Sequence, residues 1–255
     1  MGLRLPALIM LACASQASAA TIVFDPSSFP DPSQLISEDL ANSAARAMGL
    51  VADHRPYEPA TTLQPPVGLD LSVELTLIKV PEDFLQELED LGMASAELTS
   101  AIPVPRLNVH KGLGTRAEVG FSYISYRGYR IAGGDFKVNV SRPDEGPAWA
   151  LRFIYNTASM GFLSTKSYTP QLLISRPLDF AEPYLGIGYQ YATAEIAVEL
   201  DPLLPVATAR GRGGGFMSFL GVGLRIPMLG VKITLEGAYS QPGAHSLGLK
   251  TGLCF

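Results

Sequence analysis

The sequence contains no run of about 18 consecutive apolar residues, which is the length that a helix needs to span a membrane. Charged residues are also scarce. They make up 17% of the chain, below the roughly one quarter of a soluble protein, whereas hydrophobic residues make up 47%. So apolar a composition indicates a membrane protein. Without a spanning helix, the architecture that remains is a closed β-barrel.

Cysteine and histidine are too few, and too scattered, to indicate a reactive centre. The two cysteines are Cys13 and Cys254, and the three histidines are His54, His110 and His245. Their spacing matches no metal-binding or catalytic motif, so we predict no catalytic residues, no metal site and no cofactor. The net charge of -5 argues against nucleic acid as a partner.

Residues 1–19 have the pattern of a secretory signal peptide. Arg4 is followed by an apolar stretch over residues 5–14 and by the small residues Ala17-Ser18-Ala19, which are typical of a cleavage site. Cleavage would remove Cys13 and leave Cys254 alone, so no disulfide within the mature chain is expected. A signal peptide implies secretion.

Residues 20–66 form a second region, rich in proline and serine. Asp31-Pro32 is typical of a helix start, and apolar residues recur at helical spacing from Leu35 to Met48, before Gly49. Three interpretations stay open for this region. It could form a periplasmic cap, a plug for the barrel, or a surface helix that tethers the N-terminus.

Residues 67–255 change to a period of two, with apolar and polar residues alternating over about ten residues at a time. In the first such stretch Leu71, Val73 and Leu75 alternate with Ser72 and Glu74. We predict an all-β, antiparallel up-and-down transmembrane barrel of about ten strands, with eight or twelve as alternatives. The expected strands lie near residues 68–79, 102–110, 115–126, 130–140, 148–158, 166–175, 182–196, 212–225, 229–240 and 244–255.

Pro103 and Pro105 argue against a central position for the second strand, because proline cannot donate to a central ladder.

Long connections at residues 81–101 and 200–212 are expected to face outward, and the first has the pattern of an amphipathic helix. These loops are candidate surfaces for binding a partner cell, a phage or a neighbouring protein.

If the apolar rows face lipid, the polar rows line the lumen. Closure of the ring makes the first and last strands neighbours, so we predict an ion-pair network of Glu74, Lys250 and Glu236. Unpaired charges in a narrow interior would be costly. This interior is either a polar path that selects a solute or a packed polar core, and the small lumen of about ten strands favours the core. The predicted lumen-lining charged residues are Glu74, Lys250, Glu236, Lys232, Arg152 and Glu118.

The chain ends in an alternating strand whose last residue is Phe255. A terminal aromatic resembles the signal that the assembly machinery reads in bacterial outer-membrane barrels. The stretches at residues 57–61, 105–112 and 183–189 resemble an uncharacterised family of proteobacterial outer-membrane proteins. That resemblance implies a barrel in the outer membrane of a Gram-negative cell, with the lipid bilayer and the assembly machinery as partners. It implies no activity.

The function expected from the sequence is therefore a non-enzymatic outer-membrane barrel, acting as a narrow channel or as a structural component of the membrane. A surface-binding barrel that acts through the two long loops is the alternative. An outer-membrane hydrolase is the weakest hypothesis, because no histidine lies in a catalytic pattern.

Overall fold

The structure is a computed structural model and describes residues 37–64, 66–79, 82, 86, 101–126, 129–141, 146–198, 206–226, 230–241 and 243–255. The predicted signal peptide and the helix start at Asp31 lie outside these residues, as does nearly all of the loop at residues 81–100. Among the described residues, no helix is long and apolar enough to cross a membrane.

Ten antiparallel strands form a closed barrel in which each strand pairs with its neighbours in sequence and β1 pairs with β10. The prediction of ten strands is confirmed, and eight and twelve are excluded. The strands are β1 (Leu69–Lys79), β2 (Ala101–Leu113), β3 (Ala117–Tyr126), β4 (Tyr129–Asn139), β5 (Ala148–Met160), β6 (Leu163–Ser175), β7 (Ala181–Val198), β8 (Ala207–Ile226), β9 (Val231–Ser240) and β10 (Ala244–Cys254).

The two prolines of β2 are tolerated because of where they lie. Pro103 and Pro105 pair with Leu77 and Leu75 of β1, whereas the described pairing of β2 with β3 begins only at Leu107. This part of β2 therefore behaves as an edge strand, where a missing N–H costs no ladder hydrogen bond.

The barrel has two different ends. We call the end with the short connections at residues 114–116, 140–147, 176–180 and 227–230 the turn end, and the opposite end the loop end. Phe255 lies at the turn end, where its backbone exchanges hydrogen bonds with Leu69 (2.8 and 3.1 Å). The predicted loop at residues 200–212 is partly wrong, because residues 207–212 belong to β8.

Helix α1 (Glu38–Ala52) lies inside the loop end of the barrel. Ser37 precedes it and Glu38 and Asp39 occupy its first turn, where acidic residues suit the helix dipole. Alanines dominate the buried face, which allows close packing against the strand ends around it. The packed residues are Leu40, Ala41, Ala44, Ala45, Ala47 and Met48 of α1 with Ile78, Ala158, Leu163, Ile196 and Ala209 of the wall.

The predicted helix end at Gly49 is wrong, since α1 continues to Ala52. Gly49 serves close packing rather than termination. A Cβ atom at this position would lie 2.7 Å from Cβ of Ala192 in β7, closer than two carbon atoms can approach. Gln190, two residues away on the same strand, donates to the Gly49 carbonyl at 2.9 Å.

Candidate functional site

Residues 53–64, which we call the lumen segment, run through the barrel from α1 at the loop end to β1 at the turn end. Every residue from Asp53 to Ala60 is buried. At the turn end, Thr62 donates to the Thr115 carbonyl at 2.9 Å and the Leu63 N–H donates to Glu118 at 3.0 Å. The interior of the barrel is therefore filled by the chain itself.

Glu58 is the residue of the lumen segment that binds two lysines of the wall. Its carboxylate accepts hydrogen bonds from two buried lysines, Lys232 of β9 and Lys250 of β10. Arg152 of β5 donates to the Glu58 backbone carbonyl. Lys250 also lies 3.6 Å from the Asp70 carboxylate. Glu58 thus joins strands on both sides of the lumen through charge-assisted hydrogen bonds, which are the stronger kind.

A second charged cluster surrounds the start of the lumen segment. Arg106 of β2 donates to the Asp53 carbonyl and lies 3.0 Å from Glu74 of β1. Asn108 donates to the other oxygen of Glu74. The carboxylate of Asp53 accepts from Asn156 of β5 at 3.1 Å. Polar and charged side chains of the wall therefore form hydrogen bonds with the lumen segment and with one another.

His54 is held on three sides. Its backbone N–H donates to Asn156 at 2.7 Å, its Nε2 lies 2.8 Å from Asp135 of β4, and its Nδ1 lies 2.7 Å from the hydroxyl of Ser122 in β3. Hydroxyl, imidazole and carboxylate are the groups of a hydrolase triad. The nucleophilic hydroxyl of a hydrolase must be accessible to substrate, whereas Ser122 is only 1% exposed. This arrangement therefore favours a structural role.

Tyr57 occupies a slot in the wall. Its backbone has a φ of 48°, a left-handed conformation that is uncommon outside glycine and persists where the surroundings impose it. The hydroxyl lies 2.6 Å from that of Thr76 in β1. The ring lies against Gly248 of β10, where a Cβ atom would overlap it.

The six charged residues that the sequence places in the lumen are all buried there. Glu74 and Lys250 are also direct neighbours across the β1–β10 pairing, as ring closure requires. The predicted ion-pair network is nevertheless wrong in its partners. Among the described residues, Glu74 pairs with Arg106, Lys250 with Glu58 and Asp70, and Glu236 accepts from the Tyr184 hydroxyl at 2.7 Å.

The remaining predicted lumen residues pair as follows. Glu118 lies 3.2 Å from Lys137, while Lys232 and Arg152 both bind Glu58. By contrast, Arg116 and Arg225, which belong to the same polar rows, are exposed at the turn end. They lie beyond the strand segments that enclose the lumen.

His54 lies far along the chain from every barrel carboxylate, yet the structure places its Nε2 2.8 Å from Asp135. Distance along the chain did not show that residues 53–64 would fold back into the lumen. Glu58, Arg55 and Asp53 were missed for the same reason. The only sequence signal for them is their density, since charged residues cluster between Asp53 and Glu58 in an otherwise weakly charged region.

The outer surface reverses the usual distribution of polarity. Large apolar side chains point outward along every strand while many charged side chains line the buried interior, and β6 alternates buried and exposed residues almost without exception. The exposed set includes Leu71, Phe121, Phe136, Leu151, Phe153, Leu185, Ile187, Leu220, Leu235, Leu247 and Leu249. A continuous apolar belt around a sheet without edges suits hydrocarbon, not water. This is an outer-membrane-type β-barrel.

Comparisons with known proteins give similar barrels and no family. No protein-family model and no curated protein matches the chain. Among solved structures, the N-terminal β-barrel domain of Pseudomonas aeruginosa OprF is 12% identical, with 73% of this chain and 97% of that chain covered and a TM-score of 0.34. Neisserial surface protein A is 11% identical (75% and 100% covered, TM-score 0.31). The outer membrane protein Omp33 of Acinetobacter baumannii is 7% identical (73% and 98%, TM-score 0.32).

Proposed function

We propose that this outer-membrane-type β-barrel is a structural component of the membrane whose lumen is sealed by its own N-terminal region. The observation that carries the proposal is the lumen segment, whose buried residues bind inward-facing side chains of the wall. A ten-stranded barrel has an interior only slightly wider than one that side chains fill. With twelve further residues of chain inside it, a continuous water path has no room.

Single-channel recording of the full chain in planar bilayers tests this proposal. We expect no stepwise conductance, since ions would need to displace bonded, buried groups. A porin of known conductance, inserted under the same conditions, is the positive control. Reproducible steps from folded wild-type protein would contradict the sealed lumen and would favour the narrow-channel alternative.

We further propose the route by which the chain reaches the membrane. Residues 1–19 act as the signal peptide, residues 20–66 as the N-terminal region and residues 67–255 as the barrel. Phe255 acts as the assembly signal. Its support is its position: the side chain is 59% exposed at the turn end, beside the β1–β10 seam, where a folding factor could reach it.

A surface-binding role is the second candidate, and the length of one hairpin favours it. β7 and β8 contain 18 and 20 residues, whereas about 9–11 residues span a membrane. They pair as far as Val198 and Ala207, so the hairpin extends beyond the loop end. There it carries exposed Arg212 and an exposed pair, Glu195 and Arg210, at 3.1 Å.

For this second role we expect that replacing both arginines (Arg210→Glu with Arg212→Glu) lowers adhesion to partner cells several-fold. Reversal of charge at the hairpin would repel an acidic surface but leave the lumen unchanged. Adherent bacteria are counted at equal surface amounts of the two proteins, with folding checked by heat-modifiable migration on gels. Equal adhesion of both strains would remove this hairpin as the binding surface.

A further inference from the structure

Three side chains with metal-binding groups meet in the lumen from three separate elements. His54 belongs to the lumen segment, His110 to β2 and Asp135 to β4. Each offers one ligand atom, and these atoms all lie within 4.8 Å of one another. The side chains of the three residues are at most 1% exposed. The two imidazole rings are stacked, with centroids 6.1 Å apart and an angle of 17° between their planes.

The protein itself leaves several of these atoms unsatisfied. Neither ring nitrogen of His110 has a hydrogen-bond partner among the described residues, and neither does Oδ2 of Asp135. The nearest acidic contacts of His110 Nδ1 are Glu118 Oε1 at 3.3 Å and Asp135 Oδ1 at 3.9 Å. A buried polar group without a partner costs about 1–3 kcal/mol, and an ion bound between the three side chains would provide a partner for these atoms.

We propose that His54, His110 and Asp135 bind one divalent transition-metal ion of the zinc class. Two imidazoles and one carboxylate form a ligand set that suits zinc, while calcium and magnesium prefer oxygen ligands throughout. Zinc bonds of about 2.0–2.1 Å in tetrahedral geometry place the ligand atoms roughly 3.3 Å apart. The separations from Asp135 Oδ1 lie on either side of that value, at 2.8 Å to His54 Nε2 and 3.9 Å to His110 Nδ1.

The surroundings of the three ligands support the same assignment. The Ser122 hydroxyl lies 2.7 Å from His54 Nδ1, which leaves Nε2 on the side of Asp135. Metal-binding histidines typically use their second nitrogen in this way, because the outer hydrogen bond fixes the ring. Glu118 places a carboxylate oxygen near His110 and could supply a fourth ligand. The bound ion would fasten the lumen segment to β2 and β4.

Zinc content of the full-length, detergent-folded protein tests the proposal. The protein is refolded with excess Zn²⁺, passed through a desalting column and measured by elemental mass spectrometry. We expect about one zinc ion per chain in the wild type and roughly tenfold less in His110→Ala and Asp135→Asn, because even the loss of an outer-shell partner weakens metal binding by about 10- to 100-fold. His245→Ala is the matched control, because His245 is exposed on β10, outside the lumen. It should retain the ion.

Two outcomes of the zinc measurement would overturn the proposal: wild type that retains no zinc, or His110→Ala that retains as much as His245→Ala. His110→Gln keeps the size of the side chain in case the alanine variant does not fold, and heat-modifiable migration confirms folding. Co²⁺ gives a reading that needs no variant. Wild type loaded with Co²⁺ should show the strong visible absorption of a tetrahedral, nitrogen-bound ion, and a spectrum of hydrated Co²⁺ alone would also overturn the proposal.

Discussion

Replacing Glu58 with alanine is expected to destabilise the folded barrel by about 3–5 kcal/mol, the usual cost of removing one partner from a buried ion pair. Glu58 accepts hydrogen bonds from Lys232 and Lys250, which are 3% and 1% exposed. Without the carboxylate, two ammonium groups stay buried with less compensation. The free energy of unfolding is measured by urea titration in lipid vesicles or detergent.

A double variant separates the loss of the ion pair from the loss of the glutamate side chain. Adding Lys232→Met to Glu58→Ala removes one of the uncompensated charges. The double variant should therefore lose less free energy of unfolding than the two single variants lose in total. Glu195→Ala is the matched control, since this glutamate pairs with Arg210 at the surface, where such pairs contribute about 0–1 kcal/mol. A Glu58→Ala variant as stable as Glu195→Ala would show that the lumen segment does not occupy the interior.

Gly248→Ala is expected to destabilise the barrel by about 1–3 kcal/mol, the cost of overfilling a packed interior. The added methyl group would overlap the ring of Tyr57. Because the wall strand cannot move without breaking its pairing with β1 and β9, the lumen segment must shift. Gly237→Ala is the matched control. Gly237 is on the neighbouring strand β9, and a Cβ atom there would meet nothing within 4 Å.

The ring of Tyr57 should account for the effect of Gly248→Ala. Tyr57→Ala alone costs about 3–5 kcal/mol, by analogy with other large aromatic truncations. In that background, however, Gly248→Ala should add almost nothing, because the atoms that it overlaps are gone. Urea unfolding of the four proteins gives the coupling energy between the two positions. Additive effects would contradict the contact between Tyr57 and β10.

The wall of the barrel was predictable because its pattern is local. Alternation assigns Glu74 and Lys250 to the interior face, and ring closure makes them neighbours, since both follow from strand geometry alone. The partners of these residues were not predictable in the same way. Glu74 binds Arg106 and Lys250 binds Glu58, choices that depend on what fills the lumen.

The lumen segment has neither helical nor strand periodicity, so its position inside the barrel could not be predicted from sequence periodicity. Its conformation is determined by contacts with the wall, as the φ of 48° at Tyr57 illustrates. His54 and Asp135 are 81 positions apart in sequence and meet only because the segment folds back through the barrel. Sequence spacing therefore could not identify the cluster of His54, His110 and Asp135.

The path of the chain constrains the order in which this protein can assemble. The lumen segment precedes β1 in the chain and crosses the interior, with the wider α1 helix beyond it. If the barrel closed first, α1 would have to pass through the interior, past the hydrogen-bonded charged side chains that line it. We therefore expect the wall to close around α1 and the lumen segment rather than before they are in place. Closure of the barrel and filling of its lumen are then expected to occur in one step.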